Sequence, residues 1–264
     1  MLMRQSLFQR EFLSLLEHFN IWFTLGLYDI KQRYRRSLIG PLWITLSTGV
    51  MVGSVGLMFS VIFKSSINEF LPYFAVGQVL WLFVSTQLND ACMTFVTYQS
   101  IIKQMSLPLL VHVMRKLWDN LILFAHNFLI VVFVLILFRV KISWMMLLAI
   151  PAFCLVILVL LMVSLLLAIV CTRFRDITQV VGVFIQLSYF FTPIFWMKKA
   201  LPGKYSWVSD LNPFYHMIEI VRAPLLGQSQ AGIHWIHLLI YLIITGLAVM
   251  CFLKLFRHRV AYWL

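Results

Sequence analysis

Charge is what this sequence has least of. Only 11% of its 264 residues are Asp, Glu, Lys or Arg, where a soluble domain carries about 25%. Acidic residues are scarcest, nine against 21 Lys and Arg. A charge deficit beside long uncharged runs leaves the polytopic membrane class. The apolar residues run continuously rather than alternating, which favours an all-α bundle over a β-barrel. Cysteine is sparse too. Cys92, Cys154, Cys171 and Cys251 have no metal spacing and read as small core hydrophobes. A cleavable signal peptide is not expected, because the first residues are charged and interrupted.

Motifs of soluble chemistry are missing. There is no Gly-x4-Gly-Lys-Ser/Thr to cradle a nucleotide, no His-Glu-x-x-His and no Gly-x-Ser-x-Gly. The apolar runs lack the charge series of a proton or sodium relay. His126 is the one ionisable group deep in an apolar run, read more readily as a bonded structural histidine than as a functional one. Asp90 falls near a membrane boundary, where solvation accounts for it. Any energy for transport must come from another subunit.

What is present is organised by Lys31-Gln-Arg-Tyr-Arg-Arg-Ser-Leu-Ile-Gly-Pro-Leu-Trp43, a basic knot before an uncharged run. Crossings are expected at 42–63, 70–88, 121–138, 144–170, 180–196 and 236–256. Lys and Arg are twice as numerous on the side of the knot, which predicts both termini in the cytoplasm. The excess of 12 positive charges is thereby explained by topology and anionic lipid, not nucleic acid. Residues 1–40 hold an amphipathic helix, with Phe8, Phe12, Leu15, Phe19 and Trp22 on its apolar stripe and Glu11 and Ser14 between them. It lies in the membrane interface or against the bundle. Gly49 and Gly53 form a GxxxG, which suits close approach of a helix from the same or a second chain. Residues 91–120 form a polar segment whose short helix, 98–108, is stopped by proline. Its exposed Ile101 and Ile102 suit a soluble partner or the interface.

Residues 197–235 are too apolar for a free loop. Asn212-Pro213 starts a helix there. Phe214, Met217, Ile218, Val221 and Leu225 give its apolar stripe, and Glu219 and Arg222 pair on the other side. Two short helices folded back into the outer leaflet are expected, a lid over a pathway.

The knot, with Tyr28-Asp29-Ile30 before it, resembles the entry segment of ABC-2-type polysaccharide export permeases. So do Phe174-Arg175-Asp176-Ile177-Thr178-Gln179, Thr192-Pro193-Ile194-Phe195 and Leu211-Asn212-Pro213-Phe214, with Glu219 and Arg222 downstream. The likeness spans nearly the whole chain and is greatest to O-antigen exporter permeases, with teichoic acid and capsule exporters as cousins.

That resemblance implies one ABC transmembrane type-2 domain over 1–264, forming a homodimer with two copies of a separate nucleotide-binding ATPase. ATP and magnesium would be bound by that partner; no cofactor or metal is expected in this chain. Tyr98, Ile101, Ile102, Lys103 and Gln104 would form the coupling helix. Residues 197–227 would be the periplasmic gate, with Asn212, Pro213, Phe214, Glu219 and Arg222 its outer residues. Tyr189, Phe190, Phe191 and Trp196 would line a channel for the sugar chain; the alternative for each is belt or core packing. The cargo implied is an undecaprenyl-pyrophosphate-linked glycan crossing the bacterial inner membrane. Arg33, Arg35 and Arg36 suit its pyrophosphate or a lipid headgroup. Rival readings are an ABC-2 permease for another cargo, an intramembrane acyltransferase and a motorless channel.

Overall fold

The computed structural model describes residues 7–35, 39–40, 42–105, 107–200, 202–229 and 232–264. Arg36, with Ser37, Leu38 and Pro41 of the knot, lies outside these. Among the described residues every regular element is helical. The chain opens with α1 (Leu7–Glu17) and α2 (Phe19–Arg33). It continues with α3 (Leu42–Ile62), α4 (Ile67–Thr97), α5 (Gln99–Gln104) and α6 (Leu109–Leu137). Then come α7 (Ala149–Arg173), entered through a 3-10 turn, α8 (Ile177–Phe191), α9 (Trp207–Asp210), α10 (Pro213–Leu225), α11 (Gly232–Phe256) and α12 (Val260–Trp263).

Among the described residues five helices are long and apolar enough to cross a membrane: α3, α4, α6, the turn with α7, and α11. The expected fifth crossing is instead the 15-residue α8, about 22 Å at 1.5 Å per residue, short of a hydrocarbon core of about 30 Å. Thr192-Pro193 ends it, since a residue before proline is pushed out of the α region. Thr192 accordingly sits at ψ 132°.

α4 is buried on nearly every side and packs against α6, α7, α3, α8 and α10. Its core includes Phe74, Ala75, Val76 and Phe95, all inaccessible. Around it, α3 and α11 leave most of their apolar surface uncovered, including Leu46, Val50, Ile240 and Ile243. In a bilayer such faces meet lipid or another chain, so the bundle is held by packing and by polar contacts between helices. Gln87 donates to Ser164 Oγ at 2.9 Å, and Asn120 donates to Gln87 Oε1 at 2.9 Å and Asp90 Oδ2 at 3.2 Å. Asp90 is thus an interhelical acceptor as well as a boundary group. His126 is bonded to the carbonyl of Ile122, one turn back, at 2.8 Å.

Two boundaries differ from expectation because helix outlasts hydropathy. α4 continues to Thr97 and α6 starts at Leu109, so most of 91–120 extends the two crossings. Arg115, Lys116 and Asp119 are there tied inside the bundle, while Lys103 is exposed. The N-terminal helix is also two, broken at His18. Glu11 and Ser14, expected between apolar residues, turn inward. Glu11 Oε2 accepts the Leu110 N–H at 3.1 Å, and Oε1 lies 3.3 Å from Arg257. Leu13 and Leu16 are exposed instead. Gly49 faces Ile130 on α6, while Gly53 of the GxxxG meets open space.

Candidate transport site

The two ends of the bundle carry different polar constructions. At the end bearing α9 and α10, the chain after α8 runs without helix yet is buried: Thr192 and Ile194 are inaccessible and Met197 nearly so. Such backbone needs partners at membrane depth. Arg222 supplies them. Its Nη1 donates to Pro193 O at 2.7 Å, its Nε to Glu219 at 2.9 Å, and its Nη2 also to Glu219. The guanidinium lies 3.7 Å from the centroid of the Tyr73 ring. The Tyr73 hydroxyl also donates to Pro193 O, at 3.1 Å. One carbonyl thereby receives two donors, one from α10 and one from α4.

Arg222 is only 1% exposed, which corrects its expected place opposite the apolar stripe. A guanidinium this deep is tolerable only when its donors are paired. Gly77 makes the room: a Cβ there would stand 2.9 Å from Arg222 Nη1. Nothing in the sequence marked Tyr73 or Gly77 as partners of a residue about 150 positions away.

Asn212 caps α10 as expected, its Oδ1 accepting the Phe214 N–H at 2.9 Å. Its amide donates to Thr192 Oγ1 at 2.9 Å, tying the cap to the end of α8. Pro213 is the first helical residue, and Gly227 at φ 70° follows the helix end. Phe214 is buried against Trp81, ring centroids 5.4 Å apart.

Behind α10 lies a histidine cluster not anticipated from the sequence. His216 Nε2 is 2.8 Å from Asp210 O, so that nitrogen carries a proton. In neutral His216, Nδ1 then accepts from His234 Nδ1–H at 2.8 Å. His237 stacks on His216, centroids 4.0 Å apart and planes 9° apart. Burial lowers the His216 pKa, and the Asp210 carbonyl partly offsets this. The cluster clamps α10 to α11 beside a cavity of 560 Å³ that Lys198 and Asp210, 2.5 Å apart, also line.

The four aromatics expected to line a channel divide. Phe190 and Phe191 are exposed, each 58%. With Val180, Val183 and Leu187 they continue an uncovered stripe along α8. Tyr189 turns inward: its hydroxyl donates to Gln78 Oε1 at 2.7 Å and its ring meets Trp81 and Phe195. Trp196 Nε1 donates to Phe190 O at 3.2 Å.

The end bearing α5 is pinned by carboxylates. Arg115 grips Asp29 with two bonds of 2.7 Å, and Tyr98 donates to the same Asp29 at 3.0 Å. The Arg115 guanidinium sits 4.1 Å from the Tyr98 ring centroid. Tyr98 therefore anchors the root of α5; it is buried and does not form its surface. Burial and the Asp29 charge raise its pKa. Lys103 and Gln104 are exposed, Ile101 and Ile102 half-buried, with Ile102 against the core. Arg33 reaches Asp119 at 3.3 Å and Arg35 is exposed, so one of the basic triad is already paired. Arg33 also lines a cavity of 260 Å³ with Asn120 and Asn127. The described residues contain no group of three or more His, Cys, Asp or Glu suited to a metal.

Residues 21–226 match the family model described as ABC-2 type transporter. The chain is 26% identical over 236 residues to an O-antigen export system permease protein RfbA of Klebsiella pneumoniae, covering 86% of this chain and 89% of the relative. A second RfbA permease of that organism is 24% identical over 241 residues, covering 88% and 90%.

Proposed function

From the premise that the chain belongs to the ABC-2 type transporter family, we propose that it is the membrane subunit of an ATP-driven exporter of lipid-linked polysaccharide. Its cargo is an undecaprenyl-linked glycan of the O-antigen kind, and its place is the bacterial inner membrane. The observation that supports the reading is the non-helical segment Thr192–Met197, largely buried and held by Arg222 and Tyr73. Irregular backbone at membrane depth is tolerated where protein encloses it or where it lines a water-filled cavity, and a buried segment ending beside the exposed stripe of α8 suits the rim of such a conduit.

The exposed stripe of α8, ending in Phe190 and Phe191, and the uncovered face of α3 suit a conduit completed by a second copy. Aromatic faces hold sugar C–H faces without charge pairing, so a chain can slide. The α5 end is cytoplasmic in this reading, and the α10 end periplasmic. α5, rooted by Tyr98 and presenting Lys103 and Gln104, is the contact for a separate ATPase, two copies per dimer. Arg33 and Arg35 meet the lipid pyrophosphate, with Asp119 released from Arg33 when cargo arrives. The names of the RfbA relatives support glycan over drug or lipid cargo.

The test is reconstitution of the permease with its ATPase and labelled lipid-linked glycan. Glycan should become accessible to an added glycosidase on the far side only with hydrolysable ATP. Movement without the ATPase, or of simple lipid but not glycan, would overturn the reading.

A further inference from the structure

At the α5 end, α7, α8, α11 and α12 surround a cavity of 490 Å³. Its floor is apolar, including Ile177, Phe252 and Phe256, and its lining holds two cations, Arg173 and Arg259. No carboxylate lines it. Among the described residues neither arginine has an ion pair, whereas Arg33, Arg115, Arg222 and Arg257 each do. Arg173 stands 5.2 Å from the Trp263 ring centroid. That aromatic contact orients the guanidinium, which is exposed and has no carboxylate partner among the described residues.

The position matters as much as the charge. Arg173 ends α7, and α11 ends at Phe256, three residues before Arg259. The cavity therefore sits where two crossings leave the bilayer, apolar below and cationic at the rim. A neutral amphiphile would leave both guanidinium groups unmet. A soluble anion would leave the apolar floor wet. An anionic amphiphile satisfies both, and arginine forks match phosphate oxygens.

We propose that this cavity is a binding site for the phosphate of an anionic amphiphile, held by Arg173 and Arg259 with its chain along Ile177, Phe252 and Phe256. It is separate from the Arg33 region, whose arginine is engaged by Asp119. Two sources share this chemistry: phosphatidylglycerol of the bilayer, and a polyprenyl phosphate.

Native mass spectrometry of the full permease tests it, after detergent exchange with equimolar phosphatidylglycerol and phosphatidylcholine. The wild type should retain phosphatidylglycerol several-fold over phosphatidylcholine. Arg173→Gln with Arg259→Gln should lower that ratio well below the wild type's, with melting in pure phosphatidylcholine unchanged. Trp263→Ala, which removes the platform but no charge, should lower the ratio partway. Retention equal to wild type in the double variant overturns the site. Undecaprenyl phosphate, added at equal concentration, separates the sources. Displacement that the double variant abolishes assigns a polyprenyl ligand, and no displacement assigns bilayer lipid.

Discussion

Two buried arginines hold the two ends of this bundle, and they do so differently. Arg115 at the α5 end binds a carboxylate on another helix, Asp29 on α2. Arg222 at the α10 end binds a carboxylate on its own helix and uses the remaining donor for a bare backbone carbonyl, Pro193 O. The first fastens helix to helix, as a soluble protein would. The second supplies a hydrogen bond that α8 would have made had it continued. The difference teaches where movement is to be expected: a carbonyl held by side chains can be released without unravelling a crossing.

The comparison breaks most visibly at Arg222. Arg222→Met strands the Glu219 carboxylate and removes a donor from Pro193 O, and should cost roughly 3–5 kcal/mol, read as melting temperature in nanodiscs. Pairing it with Glu219→Leu should recover part of the loss, because no buried charge is then left alone. At the other end Asp29→Asn keeps a neutral acceptor for Arg115 and Tyr98, and Asp29 is partly exposed. A smaller cost of about 2 kcal/mol is expected there. Equal costs at the two ends would remove the distinction.

Two glycines sharpen it further. Gly77→Ala puts a Cβ 2.9 Å from Arg222 Nη1, and Gly26→Ala puts one 2.8 Å from Trp118 Cδ1 and 3.3 Å from Arg115 O. Each should cost about 1–3 kcal/mol by overpacking. Gly77→Ala should act on the segment after α8, raising proteolysis within 192–200. Gly26→Ala should loosen α2 and leave that segment protected.

The smallest effect is on pH. Burial lowers the His216 pKa, so the native state binds fewer protons there than the unfolded chain. The stabilisation is complete above the ordinary imidazole value near 6.5 and is lost as pH falls below it toward the native value. Protonated His216 would also set an N–H against the Nδ1–H of His234. Acidification from pH 7.5 to 5 should weaken the clamp of α10 on α11. His216→Gln should reduce that dependence in hydrogen exchange of 213–225, with His234 of the same cluster supplying the rest; an unchanged slope would show that His216 does not contribute.

Much of this could be read in the residues themselves. Asn212-Pro213-Phe214 predicts the cap and first turn that form, and the hydropathy run 42–63 matches α3 to within a residue, because local chemistry sets both. The α4 and α6 lengths could not be read, since Asp90, Arg115, Lys116 and Asp119 look like loop charges until their partners are known. Arg222 was seen to pair with Glu219 three residues away. Its reach to Pro193, under the Tyr73 ring and past Gly77, depends on tertiary contacts with no local pattern. The α8 aromatics gave a cluster but not its faces: Tyr189 turns in and Phe190 turns out.

In the proposed function the segment pinned by Arg222 roofs a conduit. Ion conductance of the purified permease in planar bilayers tests it most directly, comparing the wild type with Arg222→Met at a temperature where both are folded. The account predicts a nearly silent wild type and a variant that conducts. Equal conductance from two folded proteins would contradict it.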